Sequence, residues 1–299
     1  MSYQERLNRV KKLQNWNCEN AHDLISFYDL SKIDYENLKR SVKNYICGAM
    51  NISFFEDDEK FVNEMDTSRN LKNITPNGAV VPKRDYMLEY NIFLREWKNI
   101  MKKIVSPKPE MLNRFRLTPN IRIKFQEEIE ENKNRSLNTA LPHSDGWLEG
   151  PWGMNCFVPL FGDTENNTLR YYEPNKEDFS EDFVQINPSY KDMQWVMDYY
   201  SPIKFVPKQR KVYFSDYSMI HNTHKYKPNA GTRVSIDTTL YIGENPPHPD
   251  REKEYEKTFI DLGLNYIIDP GKFSDENISE KKTTFSHYTS TDRKVIKLF

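Results

Sequence analysis

The sequence predicts a mainly β core of the sandwich or jelly-roll kind, covered by a helical N-terminal layer. Apolar residues recur at three- and four-residue steps before residue 106 and at two-residue steps after it. The second part of the chain also holds many short strand candidates separated by turn residues, which is typical of sandwiches and jelly rolls. The expected fold class is therefore α+β with a mainly β core.

Two apolar stripes at helical spacing predict the N-terminal layer. The longer stripe consists of Tyr90, Phe93, Leu94, Trp97, Met101 and Ile104. The shorter stripe consists of Leu38, Val42, Tyr45, Ile46 and Met50. We expect the longer helix to end at the two prolines of residues 106–109, because proline cannot continue a helix. Residues 75–82 are predicted to form a loop with a Pro-Asn-Gly turn.

The β core is predicted from the alternation that follows. Ile121, Ile123 and Phe125 alternate with polar residues, as in a half-buried strand. Further strand candidates are residues 154–160, 168–172, 203–206, 211–216 and 232–243, with a helical insertion near 190–200. We expect one compact domain with a helical region at 1–106, a jelly-roll catalytic core at 107–250 and a C-terminal extension at 251–299.

Charge and cysteine content exclude several classes of function. The chain has 43 basic and 44 acidic residues, so no basic surface for nucleic acid or an anionic membrane is expected. No apolar run approaches the roughly 20 residues of a membrane helix, and the N-terminus lacks a signal-peptide core. Cys18, Cys47 and Cys156 are odd in number and far apart, which favours reduced thiols in a cytoplasmic protein.

A His-x-Asp triplet in "LPHSDGWLEGPWG" is the first candidate for chemistry. With six His and 44 acidic residues, chance supplies about one such triplet per chain. The second triplet, His248 to Asp250, lies among prolines that exclude a central strand. In a strand, His143 and Asp145 point to the same face. A non-haem Fe(II) centre needs such a pair and one further histidine.

Residues 211–243 offer both the further histidine and a carboxylate-binding group. His221 and His224 are the candidate ligands, and His221 is favoured because it closes an apolar-rich run. Arg233 lies in the strand candidate that follows. A guanidinium inside a barrel needs an anion, and it clamps a carboxylate in bidentate fashion. Asp237 shares a face with Arg233 and is an alternative, purely structural partner for it.

His143-x-Asp145, a distal His221 and Arg233 together resemble the Fe(II)/2-oxoglutarate-dependent dioxygenases. More narrowly, "FSDYSMIHNT" followed by "GTRVSIDTTL" is similar to the phytanoyl-CoA-hydroxylase-like branch, in which Asp-x-x-x-x-His precedes an Arg-Val-Ser strand. Bacterial members of that branch act in antibiotic or sugar biosynthesis. The resemblance covers about residues 121–243, and the N-terminal helical region matches no named family.

The resemblance implies a double-stranded β-helix, that is, a jelly-roll or cupin-like fold, with Fe(II) as the metal. His143, Asp145 and His221 would ligate the iron. The family commonly has glycine after the distal histidine, whereas this chain has Asn222, which leaves His224 as the alternate ligand.

The resemblance also implies a site for 2-oxoglutarate as co-substrate. Arg233 would pair with its distal carboxylate, and Ser235 would be a second hydrogen-bond donor. Asn155 and Thr168 are the candidates for the polar side chain that the family places on the strand after the first metal motif. The simpler interpretations are that Ser235 bonds a neighbouring strand and that Asn155 satisfies backbone groups.

Four further residues are candidates for the substrate pocket. Trp147 and Trp152 follow the metal motif, and Arg122 and Lys124 lie on the first strand candidate. The alternative interpretations are that the tryptophans pack in the core and that the two basic residues form the solvated face of a strand.

The expected function is that of a dioxygenase hydroxylating a small polar metabolite, such as a sugar, an amino acid or a biosynthetic intermediate. Dioxygen would be consumed, and succinate and CO2 released. Members of the branch that halogenate replace the carboxylate ligand by a small residue, so the resemblance, with Asp145 present, implies hydroxylation or a related desaturation or cyclisation. The rivals are a cupin-like metalloenzyme, such as a sugar isomerase or epimerase, and a non-catalytic carbohydrate-binding sandwich. The intact order of His143, Asp145, His221 and Arg233 argues against the last.

Overall fold

The structure, a computed structural model, describes residues 2–13, 16–105, 114–116, 119–129, 138–149, 153–176, 189–241, 259–260, 265–271 and 293–298. Its α-helices are α1 (Tyr3–Lys12), α2 (Lys32–Met50), α3 (Asp58–Ser68), α4 (Met87–Val105) and α5 (Gly146–Glu149), with 3-10 helices at Arg84–Tyr86 and Lys191–Tyr199. Its strands are β1 (Glu19–His22), β2 (Ile25–Asp29), β3 (Arg114–Arg116), β4 (Asn120–Lys124), β5 (Gly153–Gly162), β6 (Asn167–Pro174), β7 (Tyr200–Pro202), β8 (Lys211–Asp216), β9 (Ile220–Lys225), β10 (Arg233–Tyr241), β11 (Phe259–Ile260), β12 (Tyr266–Asp269) and β13 (Lys294–Lys297).

The larger sheet is antiparallel and runs β1-β2-β8-β5-β10-β3-β11, while β4 also pairs with β10. A second, smaller sheet runs β7-β6-β9 and is extended by a bridge from β9 to His143, while β12 and β13 form a separate two-stranded sheet. From β4 through the His143 bridge to β10, the chain crosses from one of the first two sheets to the other at each step except from β6 to β7, which both lie in the smaller sheet. This places β4-β10-β5-β8 opposite His143-β9-β6-β7, which is the double winding of a jelly roll. The predicted fold class is confirmed.

The helical layer packs on the outer face of the larger sheet. α2 and α4 share one apolar cluster with Val234 and Ile236 of β10. Every residue of both predicted stripes is buried, so the two helices are confirmed. The Ser31 side chain caps α2 by accepting a hydrogen bond from the Asp34 amide, and Asn51 ends it in the left-handed conformation at φ 54°.

The space between the sheets holds a second cluster. It contains Phe157 and Tyr213 from the larger sheet and Tyr171 from the smaller one. Because side chains alternate along a strand, Arg233, Ser235 and Asp237 of β10 face this interior while Val234 and Ile236 face the helices.

Two sequence predictions need correction. The N-terminal region is not wholly helical, since β1 and β2 form a hairpin and β2 pairs with β8. Residues 203–206 are not a strand, and the chain pairs instead at β7. The other strand candidates correspond to β5, β6, β8 and β10, and the helical insertion is the 3-10 helix Lys191–Tyr199.

The predicted region boundaries near 106 and 250 lie outside the described residues. The division of the chain into three regions therefore stays a prediction. Within the described ranges, none of the helices combines the length and apolar character needed to cross a membrane.

Candidate metal centre

The segment that carries His143 and Asp145 is a bridge followed by a turn, not the strand that the sequence predicts. The His143 amide donates to the His221 carbonyl at 2.9 Å, and the His221 amide donates to the His143 carbonyl at 2.8 Å. The chain then turns at Asp145 into α5. Ser144 holds this turn, because its Oγ accepts the Gly146 amide at 3.0 Å and donates to the Tyr217 carbonyl at 3.1 Å.

The turn and the bridge bring three potential ligands together. One ligand atom from each of His143, Asp145 and His221 lies within 4.8 Å of the other two. The His221 Nε2 is 3.8 Å from the Asp145 Oδ2, and the two imidazole centroids are 4.5 Å apart. Two imidazole nitrogens and one carboxylate oxygen at this spacing can hold one divalent cation.

Backbone carbonyls orient both imidazole rings. The His143 Nδ1 lies 2.8 Å from the Leu141 carbonyl oxygen, and the His221 Nδ1 lies 3.0 Å from the Met219 carbonyl oxygen. A carbonyl only accepts, so each Nδ1 carries a proton, and in a neutral ring the lone pair that binds a metal is then on Nε2. Burial, and then the neighbouring His221, lowers the pKa of His143 well below its usual value. His143 is therefore held in the neutral form that binds metals.

The 3-10 helix Lys191–Tyr199 covers His143. Tyr190, which precedes this helix, stacks on the His143 ring at 4.2 Å with an interplanar angle of 21°. The Gln194 side chain donates to the Pro142 carbonyl at 2.8 Å. These contacts restrict the His143 ring and shield it from solvent, since His143 is 3% exposed.

His224 lies on the opposite face of β9. It is three residues from His221, and successive side chains of a strand alternate between faces. Its ring packs edge-on against Tyr226 at 4.6 Å, and it is not part of the three-residue cluster. The structure therefore brings His221, and not His224, to His143 and Asp145.

Arg233 is buried between the sheets, with 1% of its surface exposed. Among the described residues, its Nε and Nη1 have no hydrogen-bond partner, and its guanidinium lies 5.3 Å from the centroid of the Phe157 ring. Burial, and then Arg122, lowers the pKa of Arg233 to about 10. An uncompensated buried guanidinium is costly, so this position is suited to an anion.

Asp237 does not pair with Arg233. It binds Arg122 through two hydrogen bonds, from Nε to Oδ1 at 2.9 Å and from Nη2 to Oδ2 at 2.8 Å. The alternative in which Asp237 is a purely structural partner of Arg233 is therefore wrong, because Asp237 is bound to Arg122.

Ser235 and Asn155 also face the interior, and Thr168 does not. The Ser235 Oγ and the Asn155 Nδ2 are buried without a partner in the described part of the chain. The Thr168 hydroxyl is also buried without one, but Thr168 pairs with His224, on the face opposite to Tyr171 and His221. Its placement therefore gives no support to a co-substrate role.

Arg122 and Lys124 face the interior rather than solvent. They pair with Ser235 and Arg233 across β4 and β10, so their side chains share the Arg233 face. The solvated-face interpretation is wrong for these two residues. Burial, together with Arg122 and Arg233, lowers the pKa of Lys124 well below its usual value, and its Nζ donates to the Thr139 Oγ1 at 2.9 Å.

Trp147 is a packing residue. It is 2% exposed and belongs to a cluster with Tyr172 and Ile220 on the outer face of the smaller sheet, beneath the 3-10 helix. This position is behind the sheet that carries His221 and so does not line the interior. Trp152 lies outside the described residues.

Two tyrosines near the centre were not predicted from the sequence. Tyr171 pairs with His221 in the smaller sheet, and their ring centroids are 6.2 Å apart. Tyr190 stacks on His143. Nothing distinguishes either from the other tyrosines of an 18-tyrosine chain, and only the strand register and the loop path could have identified them.

No family model and no curated protein matches this sequence. Among solved structures, the chain is similar to the non-haem α-ketoglutarate-dependent carbocyclase SnoK from nogalamycin biosynthesis, with 9% identity and a TM-score of 0.44 over 86% of this chain and 92% of that one. It is also similar to the non-haem α-ketoglutarate-dependent epimerase SnoN from the same biosynthesis, with 8% identity and a TM-score of 0.40 over 80% of this chain and 83% of that one.

Both enzymes are of the broad class that the sequence resembles, and neither description names the phytanoyl-CoA-hydroxylase-like branch. At identities of 8 and 9% and TM-scores of 0.40 and 0.44, the likeness carries no argument about the activity of this chain.

Proposed function

We propose that this protein is an Fe(II)- and 2-oxoglutarate-dependent dioxygenase that hydroxylates a small polar metabolite. One observation carries the proposal. The interior of the jelly roll contains both a His-Asp-His cluster and a buried arginine, Arg233, with two nitrogens that have no partner among the described residues.

The donor set of the cluster fits Fe(II). His143, Asp145 and His221 provide two imidazole nitrogens and one carboxylate oxygen, the combination used by non-haem iron oxygenases. Three protein ligands leave coordination positions for a chelating co-substrate and for dioxygen. The carbonyls of Leu141 and Met219 hold the two rings in the metal-binding tautomer.

The surroundings of Arg233 fit a dicarboxylic co-substrate. Its Nε and Nη1 have no partner among the described residues, and each of them forms, together with Nη2, a planar pair of donors that a carboxylate can match. The Ser235 hydroxyl, two residues along the same face, is a further donor without a described partner. Lys124, beside Arg233, adds positive potential when it is protonated.

Fe(II) with 2-oxoglutarate supplies the oxidising chemistry, in which dioxygen is consumed, 2-oxoglutarate becomes succinate and CO2, and the substrate is hydroxylated. The chain contributes geometry and a dry interior. Tyr190 and the 3-10 helix shield His143, while Phe157 and Tyr171 exclude water near Arg233. Arg233 orients the co-substrate, and the Arg122–Asp237 pair stays intact beside it.

A small polar substrate is supported by the groups on the interior face. Arg122, Asp237 and Asn120 form a hydrogen-bonded group there, with the Asn120 Nδ2 at 3.2 Å from the Asp237 Oδ2. Burial lowers the pKa of Arg122, but the charge and hydrogen bonds of Asp237, and then the charge of Asp145, raise it above its usual value. Charged and amide groups of this kind can bind hydroxyl or carboxyl groups of a metabolite.

The experiment is an anaerobic titration with Fe(II) and then 2-oxoglutarate, followed by the visible charge-transfer band of the chelate. We expect a band for the wild type, no band for His143→Ala, and a band that needs more 2-oxoglutarate for Arg233→Ala. His224→Ala is the matched control and should behave as the wild type. Absence of a wild-type band at saturating iron would overturn the proposal.

Succinate production distinguishes the rivals. A cupin-like isomerase would bind metal and release no succinate from 2-oxoglutarate, and a carbohydrate-binding sandwich would bind no metal at this site. Neither rival requires a buried arginine such as Arg233, two of whose nitrogens have no partner among the described residues.

A further inference from the structure

We infer that Arg6, on the N-terminal helix α1, is a positioning residue for the metal centre, acting through Asp216 and the turn that follows β8. This inference rests on the proposed metal-binding function. The buried side-chain hydrogen bond of Arg6 is made to Asp216, which is not one of the three candidate ligands. Arg6 would act through a chain of hydrogen bonds that leads to His221 and to the two residues that flank Asp145.

The first link is a fully buried ion pair. The Arg6 Nε donates to the Asp216 Oδ2, and both side chains are 0% exposed. Burying two charges costs desolvation energy that an apolar pair would avoid, so a pair of this kind adds little to stability. Its geometric effect is more specific, because it ties α1 to the last residue of β8.

The second link is the turn itself. The other carboxylate oxygen of Asp216, Oδ1, accepts the Ser218 amide at 2.9 Å, and the Asp216 carbonyl accepts the Met219 amide at 2.9 Å. One side chain thus bonds both α1 and the backbone of the turn. Movement of the Asp216 carboxylate would shift residues 217–219.

The third link reaches two of the three candidate ligands. The Met219 carbonyl accepts from the His221 Nδ1 at 3.0 Å and so sets the ring orientation. The Tyr217 carbonyl accepts from the Ser144 Oγ at 3.1 Å and from the Gly146 amide at 3.2 Å. Ser144 and Gly146 flank Asp145, so the same turn places the carboxylate and one imidazole relative to each other.

The test measures metal affinity in the full chain, with Co(II) as the probe and its visible absorption as the readout. Arg6→Gln removes the charge, and Asp216→Asn presents an amide nitrogen to the Arg6 donor while it can keep an oxygen for Ser218. Removing groups that orient metal ligands costs roughly tenfold or more in affinity. We expect about that loss and an altered Co(II) spectrum for both variants, with partial rescue in Arg6→Lys.

The control separates positioning from simple destabilisation. Val10 lies on the same helix and is buried in the cluster shared with α2 and α4. Val10→Ala should lower the thermal unfolding midpoint and leave the Co(II) affinity within about twofold, because a core truncation removes packing but no ligand-orienting bond. An equal loss of Co(II) affinity in Val10→Ala would overturn the inference, since any loosening of α1 would then suffice.

A double-variant cycle tests the shared turn. If Arg6 and Ser144 both act through it, Arg6→Gln and Ser144→Ala should reduce affinity non-additively. If a folded Arg6→Gln or Asp216→Asn protein binds Co(II) as tightly as the wild type, the inference about Arg6 is wrong, and the proposed metal centre is unaffected. If Arg6→Gln does not fold, the Co(II) affinity of Asp216→Asn provides the test. Absence of Co(II) binding in the wild type would instead overturn the metal centre, and the inference with it.

Discussion

His143 and His221 are joined by two backbone hydrogen bonds, of 2.9 and 2.8 Å, which bring their rings to a centroid separation of 4.5 Å. This single bridge places the first and the last metal-ligand candidates in adjacent positions of the smaller sheet. Side chains of directly paired residues lie on the same face, so the pairing also decides which residues of β9 face the centre.

The pairing predicts that alanine substitutions of the two histidines of β9 have very different effects on metal binding. His221→Ala should abolish Fe(II) or Co(II) binding at micromolar protein, since it removes one of three ligands. His224→Ala should leave the dissociation constant within about twofold, because its side chain points to the other face. Metal titration of both variants is the measurement. Loss of binding in His224→Ala would show that the distal ligand was misassigned.

Arg233 and Asp237 are predicted to have separable roles. Arg233→Lys should weaken 2-oxoglutarate binding by roughly tenfold to a hundredfold, because an ammonium cannot reproduce the planar fork. Asp237→Asn should instead lower the free energy of unfolding by about 2 kcal/mol, since it replaces the carboxylate that binds Arg122 by an uncharged amide. Titration of 2-oxoglutarate and denaturant unfolding measure the two effects. A greater loss of 2-oxoglutarate affinity in Asp237→Asn than in Arg233→Lys would contradict this division.

Gly78 is predicted to be intolerant of a side chain. Its φ is +84°, and an added Cβ would lie 2.0 Å from the Ile123 carbonyl oxygen. Gly78→Ala should cost about 2 kcal/mol or more of folding free energy, because the backbone of β4 would have to move. Gly231→Ala is the matched control, since its nearest neighbour would be an Asp163 side-chain atom at 3.3 Å. Equal denaturation midpoints for the two variants would contradict the prediction.

Lys124 is predicted to make stability depend on pH. Burial, with Arg122 and Arg233, lowers its pKa well below the usual value, so the unfolded chain holds this proton more tightly than the folded one. The stability that this group contributes is present above the unfolded lysine pKa of about 10.4, and is lost as the pH falls towards the folded pKa. Below the unfolded pKa, the stability of the wild type relative to that of Lys124→Met should therefore rise with pH, by at most about 1.4 kcal/mol per pH unit. Urea unfolding at several pH values measures this difference, and parallel pH profiles would refute it.

Local patterns in the chain were sufficient to predict the fold class and a part of the secondary structure, namely α2, α4, β4, β5, β6, β8 and β10. The stripe from Tyr90 to Ile104 is buried in α4, and the alternation from Ile121 to Phe125 is β4. Periodicity reports which side of an element faces the core, and that property belongs to neighbouring residues. The hairpin β1–β2 was not predicted, because β2 depends on pairing with β8, about 180 residues away along the chain.

The order of His143, Asp145, His221 and Arg233 was enough for the sequence alone to nominate the candidate site, since residue types and spacing limit the chemistry. Only the tertiary structure separated His221 from His224, gave Asp237 to Arg122 rather than to Arg233, and brought Tyr171 and Tyr190 beside the histidines. Each of these outcomes depends on strand register or on contacts between distant segments. A change of one residue in register reverses the face of every side chain in a strand, and no local pattern encodes that choice.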